Sequence, residues 1–228
     1  LQNRADLAMY EAKKRAARVQ LFSKEIQRRA ERRADLERDL ACAADRDELA
    51  LWYQRIVDLD GNVTALEALL RWEHPSLGML FPRAFVPIAE ESGSIEKLGI
   101  WVVDKALYDL RNHIEPTLPG IGVSINVSSR QVASSSFVEV VGRRIEDSSV
   151  DPGRLIIEIP EAAVVGDYEH TRSVLYGLRS IGVRSAIDDF GLGWSSLRAL
   201  EALPVDLVKL DRSQIGRASC RERVCHRV

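Results

Sequence analysis

Five short apolar segments of the chain each carry a polar residue where burial should be costly: Glu67 in Ala65–Leu70, Asn126 in Ser124–Val127, Glu158 in Ile156–Ile159, Asp188 after Ala186-Ile187, and Lys209 in Leu207–Leu210. An uncompensated buried carboxylate costs several kcal/mol, on the order of the whole stability margin of a domain, so such groups need partners. One of them alone reads as a structural ion pair. Five in successive segments read differently, because the C-terminal ends of parallel strands converge on one mouth, where barrel enzymes place their chemistry. Glu67, Asn126, Glu158 and Asp188 would bring three carboxylates and an amide oxygen there, with Asp189 beside them. Oxygen-only ligation suits a hard divalent cation such as Mg²⁺ or Mn²⁺. The Asp188-Asp189 tandem could serve two ions, and two ions about 3.5–4 Å apart are the usual device for in-line displacement at phosphorus. Lys209 either orients water and offsets charge developing on a phosphate or simply neutralises Asp188 or Asp211. Arg71 lies four residues after Glu67 and so on the same strand face. It reads either as a bidentate phosphate ligand or as a surface arginine at a strand exit.

The elements that must position these groups follow from the apolar pattern. Strand-like runs at Leu51–Leu59, Val63–Trp72, Gly122–Val127, Leu155–Ile159, Arg184–Ile187 and Leu207–Leu210 alternate with helical stretches at Ala84–Ser92, Ile95–Ile114, Phe137–Ser148, Tyr168–Ile181 and Ser195–Leu200. That alternation implies parallel βα units in an α/β wound sheet or barrel. The first two runs are joined through Asp60-Gly61-Asn62, a turn signal that predicts an antiparallel hairpin ahead of the repeats. From Arg4 to about Ala50 the chain lacks Pro and Gly and is rich in Ala, Arg and Glu, which predicts helix broken once near Ser23. Leu36 and Leu40, one turn apart, leave two readings: a solvated connecting helix or a short heptad dimerisation helix.

Bulk properties narrow the function classes. With 228 residues, 46% hydrophobic and 29% charged, the chain is large enough for one sizeable core. Its net charge of -2 lacks the basic excess that DNA or RNA binding needs. The longest apolar runs fall far short of the roughly 20 residues that span a bilayer, so no membrane contact is expected from this segment. Cys42, Cys220 and Cys225 make no disulfide framework, and a reducing, cytoplasmic setting is the simpler reading; an anchor would come only from other regions of a parent protein. A Cys220/Cys225/His226 metal cluster lacks a fourth ligand for a closed zinc site. His74, His113 and His170 read as surface residues.

The ordered strings Tyr53-Gln54, Glu67-Ala68-Leu69-Leu70-Arg71-Trp72, Asn126-Val127-Ser128, Glu158-Ile159-Pro160-Glu161, Asp188-Asp189-Phe190-Gly191 and Val208-Lys209-Leu210-Asp211 resemble the EAL domain over about residues 51–213. The resemblance implies a modified TIM barrel with an antiparallel first strand. It also implies hydrolysis of cyclic di-GMP to linear pGpG with two Mg²⁺ or Mn²⁺ ions, in a protein that forms homodimers. By motif position, Glu67, Asn126, Glu158 and Asp188 resemble first-metal ligands, Asp189 a second-metal ligand and Lys209 the lysine that positions the water. Arg71, Gln54 and Asp211 resemble ligand-contacting positions. Glu161 resembles the anchor of the loop at residues 190–196, a segment linked in the family to dimerisation and activity. Arg55 stands where the family usually has Pro, Ile159-Pro160 replaces Leu-Thr, and Leu192 and Trp194 replace Thr and Tyr in the loop. None of these departures removes a metal ligand. A non-catalytic cyclic di-GMP receptor is the alternative, and its usual sign is a degraded metal site.

At the ends, Arg4–Lys13 resembles the last helix of a GGDEF domain without its catalytic motif. Residues 1–23 are therefore read as a GGDEF remnant, 24–48 as a helical linker and 49–213 as the EAL domain. The family pattern continues past Asp211 with two further βα units, which supply a glutamate and a glutamine to the site. Here Ile215–Cys225 instead resembles a reading frame of a sequencing adaptor, so 214–228 reads as a non-native tail and the barrel is expected to be incomplete.

Overall fold

The structure is a computed structural model that describes residues 24–191 and 202–211 and the backbone of 225–227. The hairpin forms as the turn chemistry predicts, from β1 (Leu49–Val57) and β2 (Val63–His74) paired antiparallel with Gln54 opposite Glu67. Its turn is built by Asp58, whose carboxylate accepts from the backbone N–H of Asp60 at 3.0 Å and of Asn62 at 2.8 Å. Gly61 at φ 87° supplies the left-handed step that the turn requires. A short β3 (Gly78–Leu80), not predicted from sequence, extends the end of β2.

Parallel strands follow: β4 (Gly122–Asn126), β5 (Leu155–Pro160), β6 (Arg184–Phe190) and β7 (Leu207–Leu210). The sheet runs β7-β6-β5-β4-β2-β1 and ends on β8 (Cys225–Arg227), which pairs antiparallel with β1. It is the wall of a modified (β/α) barrel with an antiparallel first strand, and it does not close among the described residues.

Seven helices of the described chain are labelled α1 (Lys24–Ala43), α2 (Pro82–Ser92), α3 (Ile95–Asp109), α4 (Ser129–Val132), α5 (Phe137–Ser148), α6 (Glu161–Gly166) and α7 (Tyr168–Ser180). The predicted helix Ile95–Ile114 is continuous but changes winding, α3 passing into a π-helical turn at Leu110–Ile114. Short α4 is set by a capping box in which Ser128 and Gln131 satisfy each other's backbone. The predicted helix Ser195–Leu200 and the segment before Lys24 lie outside the described residues.

Alternation along the strands sorts their side chains onto two faces. The outer face, with Leu51, Tyr53, Leu66, Val123, Ile125, Ile157 and Ile187, packs against Val103, Leu107, Val141 and Leu175 of the helices to form the main core. The inner face has only a small apolar floor of Ala65, Ile156 and Ala186, with Ile56 against it. Polar residues sit above that floor.

Helix α1 follows neither reading of its apolar stripe. Leu36, Leu40 and Ala43 pack within the chain against Leu49, Trp72, Phe85 and Ile88, forming a second core, while the opposite helix face stays exposed. Arg33 pairs with Glu91 across this contact. His74 corrects the surface reading as well. It is 7% exposed, stacks near Trp72, and lies with Nε2 3.3 Å from Asp39 Oδ2 on α1. His113 is exposed and His170 half-buried.

Candidate active site

Strand register brings the five polar interruptions together, Glu67 from the middle of β2 and the other four from at or near the C-terminal ends of β4, β5, β6 and β7. Lys209 is their hub. Its Nζ donates to Glu158 Oε2 at 2.6 Å and lies 3.2 Å from Glu67 Oε1 and 3.6 Å from Asp188 Oδ1. Asn126 Nδ2 donates to Glu67 Oε1 at 3.3 Å. Of the two readings of Lys209, the neutralising one is thus partly realised, but chiefly toward Glu158 and Glu67 rather than Asp188 or Asp211. Glu158 is 1% exposed and Glu67 8%, so the cluster is held in a low-dielectric wall where charge interactions are strong.

Titration of these groups reflects that setting. Burial pushes the Glu158 carboxyl above its ordinary range, Lys209 pulls it back, and the neighbouring Glu67 charge pushes it up again. Burial works to lower the Lys209 ammonium, yet the Glu158 and Glu67 charges prevail and hold it above the usual lysine value. The lysine therefore stays protonated at neutral pH, a fixed cation among acids.

Asp189 reaches this mouth through a backbone irregularity. The register pairs Ile187 with Val208 and Phe190 with Leu210, so Asp188 and Asp189 together stand opposite Lys209 alone. That two-against-one arrangement is a β-bulge. Asp189 adopts φ 55°, a left-handed conformation that Asp tolerates better than most residues but still at a cost of about 1–3 kcal/mol. In an unbroken strand Asp189 would face away from Asp188, into the apolar layer beneath the helices. The bulge lifts it out; it is exposed, and burial together with the Asp188 and Asp211 charges raises its carboxyl pKa.

The end of β6 is tied down. Gly191 N–H donates at 3.0 Å to the Glu161 carboxylate, a side chain 3% exposed at the start of α6. Asp211 N–H donates to the Phe190 carbonyl at 3.1 Å, which sets Asp211 beside the bulge. Residues 192–201, which include the rest of that loop, lie outside the described residues.

On the neighbouring wall, Gln54 stands opposite Glu67. Arg71 is buried, 7% exposed, so the surface reading fails. Its Nη1 donates to the Leu70 carbonyl at 2.8 Å. Beside Asn126 opens a cavity of 460 Å³ walled by Leu69, Leu70, Pro82, Val102, Ser128 and Pro160. Its mainly apolar lining next to a polar cluster is the usual form of a small-molecule site. Sequence reasoning missed two flanking residues, Trp52 and Phe81, although strand alternation alone puts Trp52 on the face of Gln54.

Among the described residues no three of His, Cys, Asp and Glu are drawn into a ready metal cage. The donor set nevertheless fits a hard cation. Glu67, Asn126, Glu158 and Asp188 present oxygen, three of them already gathered around a positive charge. With Asp189 and Asp211 nearby, the acids outnumber the one lysine, and that excess favours divalent ions.

Comparison with known proteins places the fold in a family. The family profile described as EAL domain matches residues 34–224. The bifunctional diguanylate cyclase/cyclic di-GMP phosphodiesterase MucR of Pseudomonas aeruginosa is 35% identical over 214 residues, 93% of this chain and 31% of the relative. The cyclic di-GMP phosphodiesterase NbdA of the same organism is 37% identical over 213 residues, 92% of this chain and 27% of the relative. The chain thus spans between a quarter and a third of the length of these curated relatives. The solved structure of the MucR phosphodiesterase in complex with c-di-GMP superposes with a TM-score of 0.75 at 36% identity, covering 78% of this chain and 73% of that one. Strand order, the polar mouth and these matches lead to one conclusion: the chain belongs to the EAL domain family.

Proposed function

We propose that this chain carries the catalytic centre of a cyclic di-GMP phosphodiesterase, which opens the cyclic dinucleotide to linear pGpG. The observation that supports this most strongly is the gathering of Glu67, Glu158 and Asp188 around Lys209, with Asp189 raised into the same mouth by a bulge. The names of MucR and NbdA support the substrate.

In this reading Glu67, Asn126, Glu158 and Asp188 hold one Mg²⁺ or Mn²⁺ ion and Asp189 helps hold a second; when bound, the pair would activate water and screen the phosphate. The protein's own groups do the rest. Lys209, kept protonated by its carboxylate partners, fixes the direction of approach of the attacking water and offers N–H to oxygen bearing developing charge. Arg71 takes a phosphate oxygen, Gln54 and Asp211 orient the nucleotide, and the cavity beside Asn126 shields it from bulk water. Water adds its oxygen to phosphorus, one 3′ P–O ester bond breaks, and the proton passes to the leaving oxygen. Glu161 sets the loop after β6. The same proposal takes residues 1–23 as a GGDEF remnant, 24–48 as linker, 49–213 as the EAL domain and 214–228 as a foreign tail, in a parent that is cytoplasmic and homodimeric.

The test is Mg²⁺-dependent conversion of cyclic di-GMP to pGpG, followed by chromatography, for the chain as given and with the parent's C-terminal βα units restored. Turnover by the restored protein is expected. Tight binding without turnover there would make it a receptor instead, and neither binding nor turnover would overturn the reading.

A further inference from the structure

Arg71 is held in an unusual setting. Its Cζ lies 4.9 Å from the Phe81 ring centroid and 5.5 Å from that of Trp52, so the guanidinium sits over two aromatic rings. Phe81 is the residue that precedes α2, half exposed and with no capping bond of its own. Trp52 pairs with Leu69 across the hairpin, one step along the inner face from the Gln54 and Glu67 pair, while Arg71 pairs with Ala50 one step further. The two side chains are diagonal neighbours on the wall of the mouth.

Two donors here lack partners. Trp52 Nε1 and Arg71 Nε are both buried without a hydrogen bond, and among the described residues no carboxylate pairs with Arg71. Leaving a buried donor unpaired is costly, and more so for a charged group. A stacking role alone would not orphan both. Two donors on neighbouring side chains, one cationic, call for an acceptor from outside the chain that is anionic and presents oxygen, and a phosphodiester has that chemistry.

We infer that Trp52 is a ligand-binding residue whose indole N–H, together with Arg71 Nε, donates to a phosphodiester oxygen. Phe81 is a positioning residue that, with the Trp52 ring, fixes the plane of the guanidinium. The inference rests on the cyclic di-GMP reading above.

The experiment observes the indole N–H signals of the full ¹⁵N-labelled chain, which has four tryptophans, during titration with cyclic di-GMP under a chelator so that nothing turns over. Trp52→Phe assigns its signal by loss, and the three remaining signals report an intact fold. The Trp52 proton should move on binding, and W52F should weaken binding roughly tenfold, the scale of one charge-assisted hydrogen bond. Phe81→Leu should weaken it about two- to fivefold, as loss of one ring beneath a cation does. Binding with a stationary Trp52 signal and an unchanged W52F affinity would overturn the inference and leave the phosphodiesterase reading standing. No binding by the wild-type chain, either as given or extended as proposed above, would remove that reading, and the inference with it.

Discussion

The two faces of the same sheet are built on opposite principles. On the outer face, Leu155, Ile157 and Ile187 are wholly buried beneath helices, and each contributes by removing apolar surface from water. On the inner face, a thin floor of Ala65, Ile156 and Ala186 supports buried acids, a lysine, two unpartnered donors and a left-handed aspartate. Stability is concentrated on one side and strain on the other. Alternation along a strand makes this division possible, because neighbouring residues such as Ile157 and Glu158 belong to different environments.

The largest effect should come from breaking the inner face alone. Asp188→Ala is expected to lower cyclic di-GMP turnover by a factor on the order of 10³, the scale at which a site loses a transition-state contact, while the thermal midpoint stays within a few degrees. An outer-face counterpart should do the reverse. Ile157→Ala should cost about 2–5 kcal/mol in denaturant unfolding, with the specific activity of the protein that remains folded largely kept.

A subtler break lies where a polar group enters the outer core. Asp109, fully buried, accepts from the Tyr53 hydroxyl at 2.8 Å and from Lys105 Nζ at 2.6 Å, and burial with the Asp109 charge pushes the Tyr53 hydroxyl pKa far up. Tyr53→Phe leaves Lys105 as the main partner of that carboxylate and should cost about 1–3 kcal/mol on unfolding.

The smallest effect concerns the hairpin turn and its pH dependence. Hydrogen bonds from the Asn62 side chain and backbone hold the Asp58 carboxyl below its usual value. A lowered folded-state pKa means the turn's contribution is present above the unfolded value of about 4 and is lost as pH falls through the lower, folded value. Amide exchange at residues 58–62 should accelerate relative to its normal pH trend only in that acid window, and Asp58→Asn should remove the effect.

Much of this was legible because polar residues in apolar runs carry a strong signal. Helix α5 and strand β7 lie where the pattern predicts them, and the Asp60-Gly61-Asn62 turn gives the antiparallel start. The bulge was not legible, since Asp188-Asp189 as letters say nothing of φ; it appears only when Lys209 on another strand is seen to face both. The docking of α1 against Trp72, Phe85 and Ile88 and the approach of His74 to Asp39, 35 residues away in sequence, are long-range contacts, and short-range periodicity holds no information on them. Nor could spacing foretell that Lys209 would sit closest to Glu158 rather than Asp188, because the choice is made by strand register.

The most direct test of the division between faces is cyclic di-GMP hydrolysis by wild type and Glu67→Ala side by side, in the extended protein proposed above, with both melting curves recorded. The account predicts turnover to pGpG by wild type and its loss in the variant at an almost unchanged melting temperature. Unchanged turnover in Glu67→Ala would contradict it, as would a loss of activity that merely follows unfolding.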